Sequence, residues 1–213
     1  MSAEFTSLLE TVPVIPLISS DDPDVAVATA RALYEGGLPV VEVVFRTPRA
    51  ADCLEAVASR VPEVVAGAGT ILSAAQAQTA LARGARFIVS PGLDEGVVGV
   101  AREGGVPVFP GVITPSEVQR AFNLGLDVVK FFPASIGGGV PALKALGSVF
   151  RTMRFVPTGG VSPGNLGEFL AVPAVIACGG SWLTPKAAIE EGNYGEITRL
   201  AREAVEIAAN ARG

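Results

Sequence analysis

Short apolar runs rich in β-branched residues alternate along the chain with longer stretches of Ala, Leu and Arg that have helical periodicity. The apolar runs predict strands at residues 12–18, 39–46, 64–70, 87–91, 106–111, 128–133, 155–158 and 174–178. The periodic stretches predict helices, which include residues 25–35, 49–60, 74–83, 95–103 and 115–124. Eight strand–helix repeats of this kind favour a parallel (β/α)8, or TIM, barrel over the alternative, an open doubly wound sheet.

Helix boundary signals accompany the periodic stretches. Several stretches begin after a polar residue and a proline, as at Asp22-Pro23, Thr47-Pro48, Thr114-Pro115 and Ser162-Pro163. Glycines follow the helices as stop signals. The chain has 213 residues, of which 49% are hydrophobic, so it can bury one large core. We therefore expect residues 1–213 to form a single (β/α)8 barrel domain with a short N-terminal helical segment.

The charge distribution limits the partners of the chain. The formal net charge is −5 and no basic run occurs, which argues against nucleic acid or an anionic membrane as a partner. No apolar stretch is long enough to span a bilayer, and the N-terminal sequence lacks the basic region and apolar core of a signal peptide. Cys53 and Cys178 have neither metal-site spacing nor the density of a disulfide framework. These features predict a cytoplasmic protein.

The chain contains no histidine. Nucleophile activation by a Ser-His-Asp or Cys-His arrangement is therefore excluded, as is any zinc site that depends on imidazole. Metal-dependent aldol cleavage usually relies on such ligands, so a covalent imine mechanism is favoured. Proton transfer falls to Glu, Asp, Lys, Tyr or water.

Lys130 interrupts the apolar run that predicts the sixth strand. Lysine is almost never fully buried unless it is paired, and burial favours the neutral amine, which is a nucleophile toward carbonyl carbon. This position therefore indicates Schiff-base chemistry. The alternative is structural: the side chain extends its ammonium to the rim of the barrel and takes no part in a reaction.

Glu42 and Arg46 lie in the second predicted strand, where alternation places both on the face that carries Val40 and Val44. Both faces of a barrel strand are buried, so charge is unusual on either one. One interpretation is a buried ion pair that holds the barrel interior together. The other is catalytic, because a carboxylate near an imine-forming lysine can carry out repeated proton transfers. The planar fork of Arg46 suits a substrate carboxylate.

Glycine and polar residues concentrate at the carboxyl ends of the predicted strands, where barrel enzymes have their active sites. Gly159-Gly160 and Gly179-Gly180-Ser181 follow the last two strands. Backbone N–H groups of glycine can approach an anion without interference from a Cβ, and barrel enzymes often bind phosphate at this location. The pattern predicts a phosphate site. The alternative is that glycine only relieves crowding at the strand ends.

In combination, several motifs resemble the family of 2-keto-3-deoxy-6-phosphogluconate (KDPG) aldolases, which overlap with the 4-hydroxy-2-oxoglutarate (KHG) aldolases. The motifs are VEVVFRT, GAGTIL, SPG, GVITPSE, VVKFFPAS, PTGGVSP and GGSWL. VKFFPA and PTGG are specific in combination, and the similarity runs along nearly the whole chain. Some members carry an arginine at the end of the first strand, where this chain has Ser19-Ser20.

The resemblance implies a role for each matching residue. Lys130 is implied as the Schiff-base lysine and Glu42 as the general acid/base, which acts partly through a water. Arg46 and Thr70 are implied to hold the carboxylate of pyruvate. The remaining implied contacts are Pro91 and Phe132 at the pocket wall, Thr158 at the keto acid, and Gly159, Gly160, Gly180 and Ser181 at the phosphate.

The resemblance also implies a class I aldolase that cleaves KDPG to pyruvate and glyceraldehyde 3-phosphate, with KHG cleavage as an additional activity. Family members are typically homotrimers that use no metal, and no cofactor is expected. One alternative is a phosphate-binding barrel isomerase or synthase of the tryptophan or thiamine-phosphate type, which needs no imine lysine. A second alternative is a barrel that binds a sugar acid without converting it.

Overall fold

The computed structural model describes residues 3–212, with side chains from Phe5 onward. The strands are β1 (Val14–Ile18), β2 (Val40–Val44), β3 (Val65–Gly69), β4 (Ile88–Val89), β5 (Val108–Phe109), β6 (Gly111–Val112), β7 (Val128–Phe131), β8 (Arg154–Pro157) and β9 (Cys178–Gly180). The helices are α1 (Ala3–Thr11), α2 (Pro23–Glu35), α3 (Ala50–Arg60), α4 (Ala74–Ala82), α5 (Glu95–Glu103), α6 (Pro115–Asn123), α7 (Gly139–Val149), α8 (Pro163–Leu170), α9 (Lys186–Glu190) and α10 (Tyr194–Arg212).

The strands form a closed parallel ring in chain order. β1 to β5 pair successively, and β9 pairs with the other edge of β1. β5 and β6 are two parts of one barrel strand interrupted at Pro110, because β5 pairs with β4 while β6 pairs with β7. β7 pairs with β8, and single bridges from Phe155 to Val175 and from Thr158 to Gly179 complete the ring. The prediction of a (β/α)8 barrel is confirmed.

Alternate residues of each strand face the inside and the outside of the barrel. On β2, Val41 and Val43 pack with the helices in the outer core, whereas Val40 belongs to the inner cluster. Side chains on a strand alternate with a period of two. Glu42 therefore points into the barrel, and the same alternation on β7 places Lys130 inside it.

Helix α1 closes the amino-terminal end of the barrel. The ring of Phe5 packs against Phe87 and Phe109, with centroids 5.2 and 6.1 Å away, and Leu9 is buried in the same inner cluster. A cavity of about 630 Å³ lies beside α1 and the amino ends of β3 and β5. It is at the opposite end of the barrel from the strands' carboxyl ends. Apolar side chains fill the interior of the barrel at this end.

Most helices have the boundary signals that the sequence predicts. Thr114 and Glu117 form a capping box at the start of α6, and a glycine with positive φ follows α2, α4, α5 and α6. Helix α3 differs, because it begins after Arg49 without a side-chain cap. The Thr47 hydroxyl donates instead to the carbonyl of Ser20 at 2.7 Å. Across residues 3–212, no helix combines the length and the apolar character required to cross a membrane.

The strand boundaries differ from the predicted ones in two informative places. The last strand was predicted at residues 174–178, but β9 spans Cys178–Gly180. The guanidinium of Arg212, at the end of α10, donates to the carbonyls of Val175 and Ile176 at 3.0 and 2.7 Å. These two carbonyls therefore bond to a side chain of α10. In the second strand, regular pairing ends at Val44, two residues before the predicted end.

Candidate active site

Lys130 and Glu42 meet inside the barrel. Their strands, β7 and β2, lie on opposite sides of the ring, so the two side chains approach each other across the barrel axis. The Nζ of Lys130 is 3.7 Å from Oε1 of Glu42, and each side chain is 3% exposed. Lys130 therefore does not extend to the rim. The charged group beside Glu42 is Lys130 and not Arg46, which the predicted strand had placed on the same face.

The surroundings of this pair leave one carboxylate oxygen without a donor. The ring of Phe132 has its centroid 5.1 Å from the Nζ of Lys130. Oε1 of Glu42 is buried and accepts no hydrogen bond from the part of the chain that the structure describes. Leaving a buried carboxylate oxygen without a donor is costly, and each such atom in a folded protein calls for an explanation. A hydroxyl on a bound substrate is a donor that fits this position.

Gly69 provides the space that the Glu42 carboxylate fills. β2 and β3 are paired with Val44 opposite Gly69. A Cβ built at Gly69 would overlap the Glu42 carboxylate, so any side chain at this position displaces it. Thr70 is the only residue of this motif that the sequence predicts to be in the site. The glycine next to it was missed, because the sequence does not show which side chain packs over it.

Arg46 and Thr70 lie together at the mouth of the barrel. Arg46 is exposed, and its Nε donates to the Thr70 hydroxyl at 3.0 Å. Within residues 3–212, Thr70 is the non-glycine residue with positive φ, at 59°. A β-branched residue rarely adopts this conformation, and strained backbone often occurs at functional sites. The predicted alternation, which placed Arg46 on the same face as Glu42, does not extend to Arg46, because the chain turns after Val44, whose carbonyl accepts from the Arg46 N–H at 2.9 Å.

Thr158 and Pro91 border the same end of the barrel. Thr158 is buried directly after β8, and its side chain packs against Gly179 so closely that a Cβ there would overlap it. The carbonyl of Pro91 packs against Gly111, the residue opposite Lys130 in the pairing of β6 with β7. Thr158 thus lies where β8 meets β9, and Pro91 lies beside the residue that pairs with Lys130.

The loops after β8 and β9 present unused backbone donors side by side. The bridge between the two strands aligns the residues that follow them. The N–H groups of Gly160, Val161, Ser181 and Trp182 donate to no acceptor in the described chain. Gly159 and Gly160 have φ values of 91° and 85°, which a residue with a Cβ rarely adopts. We name these four N–H groups the anion cradle, because neighbouring backbone N–H groups without an acceptor can bind anions.

The two cysteines lie outside this arrangement. Burial raises the pKa of the Cys53 thiol to about 11 and raises the pKa of the Cys178 thiol well above its usual value. Both are protonated thiols at neutral pH. In the described residues, no group of three or more Cys, Asp or Glu side chains is arranged so that it could hold a metal ion.

A family model described as KDPG and KHG aldolase matches residues 5–200, which include every residue of the site. The chain belongs to the KDPG and KHG aldolase family. The KHG/KDPG aldolase of Escherichia coli K12 is 47% identical over 200 residues, which are 94% of each chain. The 2-dehydro-3-deoxy-phosphogluconate aldolase of Treponema pallidum is 44% identical over 199 residues, 93% of this chain and 95% of the other.

Solved structures of other KDPG aldolases have the same fold. The Legionella pneumophila enzyme, with pyruvate captured as a covalent carbinolamine, superposes with a TM-score of 0.89 at 38% identity and covers 93% of this chain and 97% of its own. The Zymomonas mobilis enzyme with 3-phosphoglycerate has a TM-score of 0.88 at 40% identity and covers 93% of both chains. The family resemblance inferred from the motifs is confirmed.

Proposed function

We propose that this chain is a class I aldolase, a lyase that cleaves KDPG to pyruvate and glyceraldehyde 3-phosphate through a Schiff base on Lys130. The observation that carries the proposal is the buried pair of Lys130 and Glu42, with 3.7 Å between Nζ and Oε1. A ketone bound at this position meets a nucleophile and a proton-transfer group at the same time. Membership of the aldolase family supports the same reaction.

Formation of the imine begins when the neutral Nζ of Lys130 attacks C2 of the substrate. The carbonyl oxygen takes a proton to give a carbinolamine, which then loses water and leaves a protonated imine. Glu42 is close enough to Nζ to supply and remove these protons. The Phe132 ring beside Nζ favours the positively charged imine through a cation–π contact.

Cleavage follows when Glu42 removes the proton of the C4 hydroxyl. The electron pair of the C3–C4 bond moves toward the imine and converts it into a neutral enamine, while C4 becomes the aldehyde carbon of glyceraldehyde 3-phosphate. Protonation of C3 and hydrolysis of the imine then release pyruvate and restore the amine. Oε1 of Glu42 accepts no hydrogen bond from the described part of the chain, so it is the atom available to take the proton of the C4 hydroxyl.

The two charged ends of KDPG match the two polar regions of the mouth. Arg46 and Thr70 form the pair that would hold the carboxylate, since a guanidinium binds two oxygens at once. The anion cradle would hold the phosphate, with the Ser181 hydroxyl as a further donor. Pyruvate and 3-phosphoglycerate in the structures of two relatives support a substrate with a keto acid at one end and a phosphate at the other.

We also propose that the enzyme cleaves KHG, because relatives at 47% identity are named for both substrates. The enzyme would act in the cytoplasm as a homotrimer, with no metal and no other cofactor. Size-exclusion chromatography with light scattering measures the assembly, and activity after dialysis against a chelator tests the metal. A monomer of full activity would contradict the trimer, and a loss restored by a divalent cation would contradict the metal-free reaction.

Reductive trapping tests the covalent step. Borohydride added to the enzyme with pyruvate should attach a reduced pyruvate adduct to the peptide that contains Lys130, as seen by mass spectrometry. Lys130→Met should abolish the adduct and the cleavage of KDPG. Lys144→Met is the matched control, because Lys144 is exposed on α7. An unmodified Lys130 in active enzyme would overturn the proposed mechanism.

A further inference from the structure

Ser135 lies beside the Gly159–Gly160 turn that contributes to the anion cradle. Its hydroxyl donates to the carbonyl of Gly159 at 2.9 Å, and its own N–H donates to the same oxygen at 3.0 Å. A Cβ at Gly160 would overlap the Ser135 hydroxyl, so the serine is packed directly over the turn. One residue therefore occupies both lone pairs of a single carbonyl.

This contact fixes the direction of a free donor. The carbonyl of one residue and the N–H of the next belong to one planar trans unit and point in opposite directions. Holding the Gly159 carbonyl therefore sets the direction of the Gly160 N–H, which donates to no acceptor in the described chain. Asn165 fastens the next peptide in the same manner, because its Nδ2 donates to the Gly160 carbonyl at 2.9 Å.

The two glycines need such support. Glycine has more conformational freedom than any other residue, and a flexible turn must lose that freedom when a ligand binds to it. The Ser135 hydroxyl has no catalytic partner, and its hydrogen bond goes to this backbone carbonyl. Ordering the turn before the ligand arrives reduces the cost of binding.

We propose that Ser135 is a positioning residue that orients the Gly160 N–H toward the phosphate of the substrate. The inference rests on the proposed aldolase function and extends it, because no reacting atom is involved. Ser135 acts only on the phosphate end of the substrate, so it affects how tightly phosphorylated ligands bind. Formation of the imine with pyruvate is independent of it.

Kinetics of Ser135→Ala test this division of roles. The KM for KDPG should rise by about three- to tenfold, in keeping with the loss of one hydrogen bond, while kcat stays within about twofold of the wild type. Inorganic phosphate, as a competitive inhibitor, should lose affinity by the same factor. Trapping of pyruvate by borohydride at subsaturating pyruvate should proceed at the wild-type rate.

Matched variants separate the hydroxyl from the bulk of the side chain. Ser135→Thr keeps the hydroxyl and should have the wild-type KM. Ser135→Val has the shape of Ser135→Thr but no hydroxyl, and it should behave like Ser135→Ala. Ser148→Ala is the control for loss of an exposed serine hydroxyl, because Ser148 donates to Ala145 within α7. An unchanged KM in both Ser135→Ala and Ser135→Val would overturn the proposal, as would an equal loss in pyruvate trapping.

Failure of this inference is distinguishable from failure of the proposed function. If the wild type forms no adduct with pyruvate and does not cleave KDPG, the aldolase proposal is wrong. If the wild type does both and the Ser135 variants bind inorganic phosphate with wild-type affinity, only the positioning role is wrong.

Discussion

The α-carbon of Gly69 lies against the carboxylate of Glu42, and no space for a side chain remains between them. The end of β3 thus forms a wall that fixes where the carboxylate can be. On the other side of the barrel, Lys130 reaches the same oxygen atom from β7. The space available to the Glu42 carboxylate therefore depends on a residue that has no side chain.

Replacing Gly69 by alanine should displace Glu42 and reduce kcat by about 100-fold, since a misplacement of about 1 Å can cost that much. Gly99→Ala is the matched control, because nothing lies within 4 Å of a Cβ at that helical position. Steady-state kinetics on KDPG measure the effect, and circular dichroism checks the fold. A folded Gly69→Ala enzyme with wild-type kcat would contradict the role given to this contact.

Glu42→Gln keeps the shape of the side chain but removes its ability to accept a proton. The kcat for cleavage should fall by about 10²- to 10⁴-fold, the usual contribution of general acid–base catalysis. Prolonged incubation with pyruvate and borohydride should still modify Lys130, because the amine remains in place. Glu63→Gln, at an exposed position, should have no effect. Full activity in Glu42→Gln would assign the proton transfers to another group.

The capping box of α6 should make the free energy of unfolding depend on pH in the acidic range. The carboxylate of Glu117 accepts from the N–H groups of Ile113 and Thr114 at 2.8 Å each. Burial alone would raise the pKa of Glu117, but these donors and the Thr114 hydroxyl lower the pKa below its usual value. A group with a lowered folded-state pKa stabilises the fold above its unfolded-state pKa, and this contribution is lost as the pH falls through the folded-state value.

Glu117→Gln should therefore reduce the free energy of unfolding by about 0.5 kcal/mol at neutral pH, a small value because the site is exposed. The difference from the wild type should shrink as the pH is lowered and vanish once the carboxyl is protonated in the folded state. Urea unfolding at a series of pH values measures it. A difference that stays constant into strong acid would show that the charge is not involved.

Both thiols should resist modification in the native protein. Burial raises the pKa of Cys53 to about 11, and the Cys178 thiol is still more deeply buried. Since the thiolate is the reactive form, a disulfide reagent at mildly alkaline pH should label neither cysteine until urea unfolds the chain. The Sγ of Cys53 donates to the carbonyl of Ser20. Rapid labelling of Cys53 in the native protein would therefore mean that the segment around Ser20 opens readily.

The sequence was sufficient for the fold and for the burial of two charged residues, because strand alternation and strand–helix repetition are local properties. Lys130 and Glu42 were each predicted to face a buried environment, but their meeting depends on which strands lie opposite each other in the closed ring. Arg46 was misplaced for a related reason, since alternation was extended beyond the point where pairing with β3 stops.

Contacts between distant parts of the chain account for what the sequence did not show. Residues 174–176 pair with β8 only around Phe155, and Arg212, more than thirty residues away, donates to the carbonyls of Val175 and Ile176. Gly69 and Ser135 were not assigned because their importance comes from the side chain or the turn that packs on them. No periodicity or motif spacing reveals such packing.

The packed rings of Phe5, Phe87 and Phe109 fill the amino-terminal end of the barrel, and this affects how ligands reach its interior. Because apolar side chains fill that end, the interior is reached from the carboxyl ends of the strands. In the mechanism proposed above, the keto acid is bound covalently to Lys130 inside the barrel at the moment the aldehyde is formed. The proposed mechanism therefore requires the aldehyde to leave before pyruvate.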